Sequence, residues 1–127
     1  MLSITLDLDS GTPPYEQLRN QISGLIHAGV LASGTQLPAA RTLASDLGVA
    51  PNTIARAYRE LATDGLVSSR RRAGTVVRPL GMQLAGSTSE HLSKFLRGAR
   101  SDGFTDAQIL DCVRGAMQSL DPQESAG

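Results

Sequence analysis

The chain has 127 residues, 40% of them hydrophobic and 3% aromatic, with twelve basic and twelve acidic side chains that cancel to zero formal charge. That length suits one domain or a small domain with an appendage, and a neutral total gives no electrostatic reason to expect a nucleic-acid partner. One cysteine excludes an internal disulfide, no window approaches the roughly 18 apolar residues of a membrane helix, and the N-terminus lacks the basic-then-apolar pattern of a secretory signal, so the expectation is a cytoplasmic protein with no membrane partner.

Ile4, Leu6 and Leu8 alternate with Thr5, Asp7 and Asp9, the period of a strand with one buried side. Ser10 to Pro13 reads as a turn. Tyr15, Leu18, Ile22, Leu25 and Ile26 form an apolar stripe that predicts an amphipathic helix over Pro14 to Ala28, ended by Gly29. Leu31 to Gln36 is a connector with Gly34 as its turn residue. Leu43, Ala44 and Leu47 share one face of a short helix over Ala40 to Leu47, which Gly48 stops. Pro51 falls where a first helical residue belongs, because no intrahelical partner awaits an N–H there. Ile54, Ala57, Tyr58 and Leu61 carry the next stripe to Gly65, with Tyr58 at a core phase. Two helices joined by a tight turn containing Gly make a helix-turn-helix candidate, whose second helix would enter a DNA major groove. Leu66 to Ser69 and Gly74 to Val77 can form strands around Arg70, Arg71, Arg72 and Ala73, a hairpin with an arginine tip. The whole reads as a winged helix-turn-helix.

Charge is unevenly spread along this pattern. Residues 1 to 80 hold eight basic and six acidic side chains, and residues 81 to 127 hold four and six. Arg56, Arg59, Arg70, Arg71 and Arg72 give a local basic surface on a neutral protein. The plainer reading is a solvated face, but three adjacent like charges at a wing tip contribute nothing to stability.

With those pieces in place, the stretch resembles the DNA-binding domain of GntR-family transcription regulators. The resemblance rests on Leu37-Pro38-x-x-Arg41, Leu43-Ala44-x-x-Leu47-Gly48-Val49, Asn52-Thr53, Ala57-Tyr58-x-x-Leu61, Gly65-Leu66 and Gly74-Thr75-x-Val77, with Tyr15, Gln17 and Leu18 upstream. Ala39 stands where the family usually has Ser, which removes an N-cap of about 1 kcal/mol. Pro51 often is arginine elsewhere in the family, so one base contact cannot be carried over to it.

Beyond Val77, Arg78-Pro79-Leu80-Gly81 reads as a linker and a plausible hinge, since Pro cannot donate to a ladder. Ser87 and Glu90 have capping-box spacing, followed by Leu92, Phe95 and Leu96 up to about Arg100. Ser101 to Phe104 turns, Thr105 and Gln108 repeat the box, and Ile109, Val113, Ala116, Met117 and Leu120 form a second stripe. Two helices this short are marginal alone and need a partner surface. A second copy of the same pair is the expected partner, and the arrangement is similar to the YtrA-like subgroup of the family, whose two-helix tail dimerises. The expected fold is therefore mainly α with a small β wing: a winged helix-turn-helix DNA-binding domain over 1–78, a linker over 79–86, a two-helix dimerisation segment over 87–121 and a disordered tail over 122–127.

The resemblance implies a homodimeric, sequence-specific DNA-binding regulator, a repressor in the commoner mode of the family, on a double-stranded operator with inverted half-sites. The residues expected at DNA are Arg41, Asn52, Thr53, Arg56, Arg70, Arg71, Arg72, Gly74 and Thr75. Arg41 would read guanine O6 and N7; its alternative is a surface salt bridge to Asp46. Asn52 and Thr53 would meet phosphate at the helix N-terminus or only cap it. Arg56 is the best second contact and Arg59 a weaker one, while the wing arginines approach the backbone or minor groove, with Gly74 permitting close approach. Leu92, Phe95, Leu96, Ile109, Val113, Met117 and Leu120 are expected at the dimer interface. A small-molecule effector has the dimer interface, the junction between domains, or no site open to it.

The remaining signals are bland. His27 and His91 are far apart in sequence, so no metal site and no cofactor are expected. Cys112 reads as a buried small hydrophobe rather than a redox sensor. No phosphate loop, Ser/His/Asp set or catalytic carboxylate pair appears, which speaks against an enzyme. A different class, a winged-helix protein-interaction module with incidental DNA affinity, stays open on the residues alone.

Overall fold

A computed structural model describes residues 3–72, 74–79 and 83–120. The elements are α1 (Pro14–His27), α2 (Ala40–Leu47), α3 (Pro51–Thr63), β1 (Val67–Arg70), β2 (Gly74–Val77), α4 (Gly86–Ser101) and α5 (Asp106–Ser119). The expectations for Ala73 in the hairpin tip, for Leu80 and Gly81 in the linker and for the tail over 122–127 lie outside the described residues. Contacts divide the chain into two compact units that meet between Ala85 and Gly86.

The first unit is a three-helix bundle with a hairpin. The stripe of α1 buries Leu18, Ile22 and Ile26, that of α2 buries Leu43 and Ala44, and that of α3 buries Ile54, Ala57, Tyr58 and Leu61. These pack into one cluster with Leu31, Leu37, Leu66, Val67 and Val77. Both α1 and α2 pack on α3, so that helix is held from two sides. Tyr58, at its core phase, also donates its hydroxyl to the Pro38 carbonyl at 2.7 Å. Between α2 and α3 the chain turns at Gly48, whose φ of 72° is left-handed, a conformation that costs glycine nothing and other residues a Cβ clash.

The hairpin pairs Val67 with Val77, Ser68 with Val76, Ser69 with Thr75 and Arg70 with Gly74. Arg70 is thus the last residue of β1 rather than part of the tip, because its backbone finds a ladder partner in Gly74. The segment read as a bare connector contributes a third line of backbone bonds. Gly34 donates to the Val77 carbonyl at 2.8 Å, Val77 to Thr35 at 2.9 Å and Leu37 to Thr75 at 2.8 Å. Its short, weakly periodic sequence hides this edge, which depends on β2 being alongside.

The strand expected at Ile4 to Leu8 does not form among the described residues. Its backbone is instead bound by two helical glutamines: Gln21 accepts from Thr5 N–H at 3.2 Å and donates to the Thr5 carbonyl at 2.7 Å, while Gln17 accepts from Asp7 N–H at 2.8 Å and donates to the Asp7 carbonyl at 2.9 Å. One turn apart on α1, the two amides replace the neighbouring strand that an alternating sequence requires. Ile4 and Leu6 still pack against the core, and Leu8 is exposed.

In the second unit α4 and α5 touch each other. Thr105 caps α5 through its Oγ1, which accepts from Gln108 N–H at 3.2 Å, and Gln108 Oε1 accepts from Thr105 N–H at 2.9 Å, closing the expected box. The position expected for a cap at Ser87 does not match the helix start, since α4 begins at Gly86 and Ser87 lies inside its first turn. Cys112, expected buried, is exposed, because α5 buries only Ile109 among its described residues.

Candidate nucleic-acid interface

At about 100° per residue, Asn52, Arg56 and Arg59 fall on one face of α3, opposite the buried stripe, and all three are exposed. The start of that helix carries no side-chain cap: Ala50 is the N-cap and Pro51 fills the first position. Asn52 and Thr53 therefore stand in the first turn, beyond the position from which a side chain caps it. An uncapped, outward-facing helix start leaves N–H character and the positive end of the dipole for an anion. The preceding helix starts in the same way, with Ala39 as N-cap and no side-chain bond. Arg41 lies in its first turn, exposed, and no ion pair joins it to Asp46 among the described residues.

Arg56 has a different environment from its neighbours. Its guanidinium carbon lies 3.7 Å from the centroid of the Tyr15 ring, its Nη2 donates to Tyr15 Oη at 3.1 Å, and its Nε is 3.5 Å from Glu60. Glu60 is held in turn by Arg19 of α1 at 2.6 Å. That hydrogen bond is the main reason the Arg19 guanidinium holds its proton more firmly than usual. The chain of charges ties α1 to α3 and aims Arg56, which the sequence favoured, sideways onto Tyr15. Arg59, read as weaker, has no ion pair among the described residues and projects from the outward face. The i,i+4 spacing of Arg56 and Glu60 was a local signal of this pairing, whereas the Tyr15 contact, 41 positions away, had none.

The wing adds its own cations. Arg70, Arg71 and Arg72 are exposed, and none forms an ion pair among the described residues. Gly74 has φ of 71°, and a Cβ there would come 3.6 Å from Gln36 Nε2, so backbone conformation rather than crowding demands glycine. Thr75 is half-buried, with its carbonyl accepting from Leu37. Arg78, placed in the linker by sequence, instead prolongs the hairpin by donating its N–H to the Leu66 carbonyl at 3.0 Å. Further on, Leu84 N–H and Gln83 Nε2 each bond at 2.9 Å to the carbonyls of His27 and Ile26, satisfying the end of α1.

The second unit presents apolar surface instead of charge. Phe95, Phe104, Leu110, Val113, Met117 and Leu120 are exposed. Of the residues expected at a dimer interface, Ile109 is already buried in the single chain, and Leu92 and Leu96 are half-buried. Leu110 and Phe104 were not anticipated, since neither fits the stripe that the sequence suggested.

Comparison with known proteins places these features among regulators. The model described as "Bacterial regulatory proteins, gntR family" matches residues 14–77. The HTH-type transcriptional regulator Rv1152 of Mycobacterium tuberculosis is 38% identical over 110 residues, covering 84% of this chain and 88% of its own. Among solved structures, YtrA from Sulfolobus acidocaldarius, a GntR-family transcription factor, is 33% identical with a TM-score of 0.56, over 76% of this chain and 97% of that one. The AraR DNA-binding domain in complex with operator ORX1 is 28% identical with a TM-score of 0.52, over 60% of this chain and 95% of that one.

Proposed function

Because the chain belongs to the GntR family of bacterial regulatory proteins and is a YtrA-like DNA-binding transcription regulator, we propose that it works as a homodimeric repressor on an operator of inverted half-sites. The observation that supports this most directly is the set of exposed arginines on α2, α3 and the wing, Arg41, Arg59, Arg70, Arg71 and Arg72, that have no ion pair among the described residues, beside two helix starts that no side chain caps. Arg41 reads a base edge, Asn52 and Thr53 meet phosphate, and Arg71 and Arg72 follow the backbone or minor groove. Arg59 joins them in the place first given to Arg56, whose role is to brace the recognition helix against α1. The exposed apolar side chains of α4 and α5 meet their copies in a second subunit, which spaces two recognition helices by about one helical turn of DNA. The protein carries out no chemistry of its own and acts in the cytoplasm, on the chromosome.

The test is binding of the full chain to DNA from its own promoter region. Affinity that falls steeply with salt, a footprint of two related half-sites and a sedimenting dimer are expected. A purely monomeric chain that ignores those duplexes in dilute buffer overturns the reading.

A further inference from the structure

Arg78 is fixed one rung past the Val67 and Val77 pair by its N–H bond to Leu66. Strand alternation puts Gly74, Val76 and Arg78 on one side of the hairpin, and the register sets Arg70 and Ser68 opposite Gly74 and Val76 on that same side. Val67 and Val77, on the other side, are buried in the core. Beside the hairpin lies a cleft of about 480 Å³ whose polar lining is Arg70, Arg78, Ser68 and Ser33, with Val76, Val77, Gly34 and Pro79 forming the rest of the wall. No carboxylate lines it, and neither arginine has an ion pair among the described residues.

Two uncompensated guanidiniums and two hydroxyl donors around one cleft match a phosphate, which accepts planar paired bonds from arginine and single bonds from serine. A free anion and a nucleic-acid backbone share that chemistry. The duplex is favoured because Arg70, which lines the cleft, is followed directly by the exposed Arg71 and Arg72 of the wing tip, so a strand met by the tip comes beside it. We propose that Arg78, with Arg70, Ser33 and Ser68, forms a phosphate subsite beside the wing that holds a backbone phosphate of the bound operator. This rests on the DNA-binding reading and extends the contact from Arg70 to Arg78, Ser33 and Ser68, none of which was assigned to it above.

The test measures the salt dependence of binding for the full chain and its Arg78→Ala, Arg78→Lys and Ser33→Ala/Ser68→Ala variants, on operator and on random DNA. Losing one phosphate contact makes the slope of log affinity against log salt shallower by about 0.9. Arg78→Ala is expected to show that change with a several-fold loss on both DNAs, and Arg78→Lys to recover the slope. The double serine variant is expected to weaken binding with the slope kept. Wild-type binding with a steep slope that Arg78→Ala shares overturns the subsite and leaves the DNA-binding reading standing. Absence of wild-type binding in dilute buffer overturns both. Titration with inorganic pyrophosphate supplies the remaining arm: binding abolished by Arg78→Ala, with the DNA slope unchanged, assigns the cleft to a free anion and overturns the proposal. The Arg78 side chain is exposed, so an unchanged melting temperature checks that each variant folds.

Discussion

Arginine is used in two ways here, and the difference lies in whether a carboxylate is within reach. Arg19 and Arg56 converge on Glu60 and brace α1 against α3, whereas Arg41 and Arg59 face outward without such a partner among the described residues. Arg41→Ala is expected to relax sequence preference, losing roughly 1 to 3 kcal/mol of discrimination. Arg71→Ala is expected to weaken operator and random DNA alike, with a shallower salt slope. Competition binding at several salt concentrations checks both, and equal losses on the two DNAs for both variants would rule out this division of labour. Tyr58 gives a prediction about stability. Burial pushes its phenol up to about 12 from the ordinary 10, so the unfolded chain releases that proton first. The stabilising contribution is complete below pH 10 and drains away as pH rises to about 12. Tyr58→Phe should cost about 1 kcal/mol at neutral pH, because the Pro38 carbonyl loses its donor. The gap between the two proteins should narrow above pH 10, as urea unfolding at pH 8 and pH 11 would show. A gap that stays constant contradicts the assignment.

At the level of elements, the N-terminal segment shows how a helix can substitute for a strand. Four hydrogen bonds from Gln17 and Gln21 satisfy the backbone of Thr5 and Asp7, while Ile4 and Leu6 lie on the core. Replacing both glutamines by alanine is expected to free the segment and cost about 1 to 3 kcal/mol. Amide exchange reads it directly: Thr5 and Asp7 N–H should lose protection while the core of α3 keeps its own. Retained protection at those two amides would show that apolar packing alone holds the segment. The connector from Gly34 to Leu37 is the complementary case, an irregular sequence recruited as an edge because β2 offers unpaired groups. Through it the wing is bonded to the stretch whose Pro38 carbonyl holds Tyr58 of α3, so wing and recognition helix share one backbone segment.

For the molecule as a whole, the two units differ in what they leave exposed. The first buries its apolar stripes and shows arginine; the second has exposed Phe95, Val113, Met117 and Leu120. A helix as uncovered as α5 gains little from its own chain. On the dimer reading, Val113→Asp with Met117→Asp places charge on this face and should yield a monomer. Its DNA affinity should fall roughly 100-fold, as the linkage between two readers is lost. Sedimentation and binding check this together, and a double variant that remains dimeric would move the interface elsewhere.

Local chemistry determined much of this protein before any contact was known. Apolar stripes at helical spacing, glycines and prolines at helix ends, and two strand-forming stretches around an arginine run specify three helices and a wing, because those signals act within a few residues of themselves. The Thr105 and Gln108 box was legible for the same reason. Tertiary structure alone decided which arginine is free. Arg56 pairs with Glu60 within its own helix but meets Tyr15 only once α1 lies against α3, and Arg78 joins the wing only because Leu66 is there to accept its N–H. Likewise Ile4 to Leu8 alternates as a strand does, yet it pairs with glutamines from α1 because its nearest unsatisfied hydrogen-bonding groups belong to a helix.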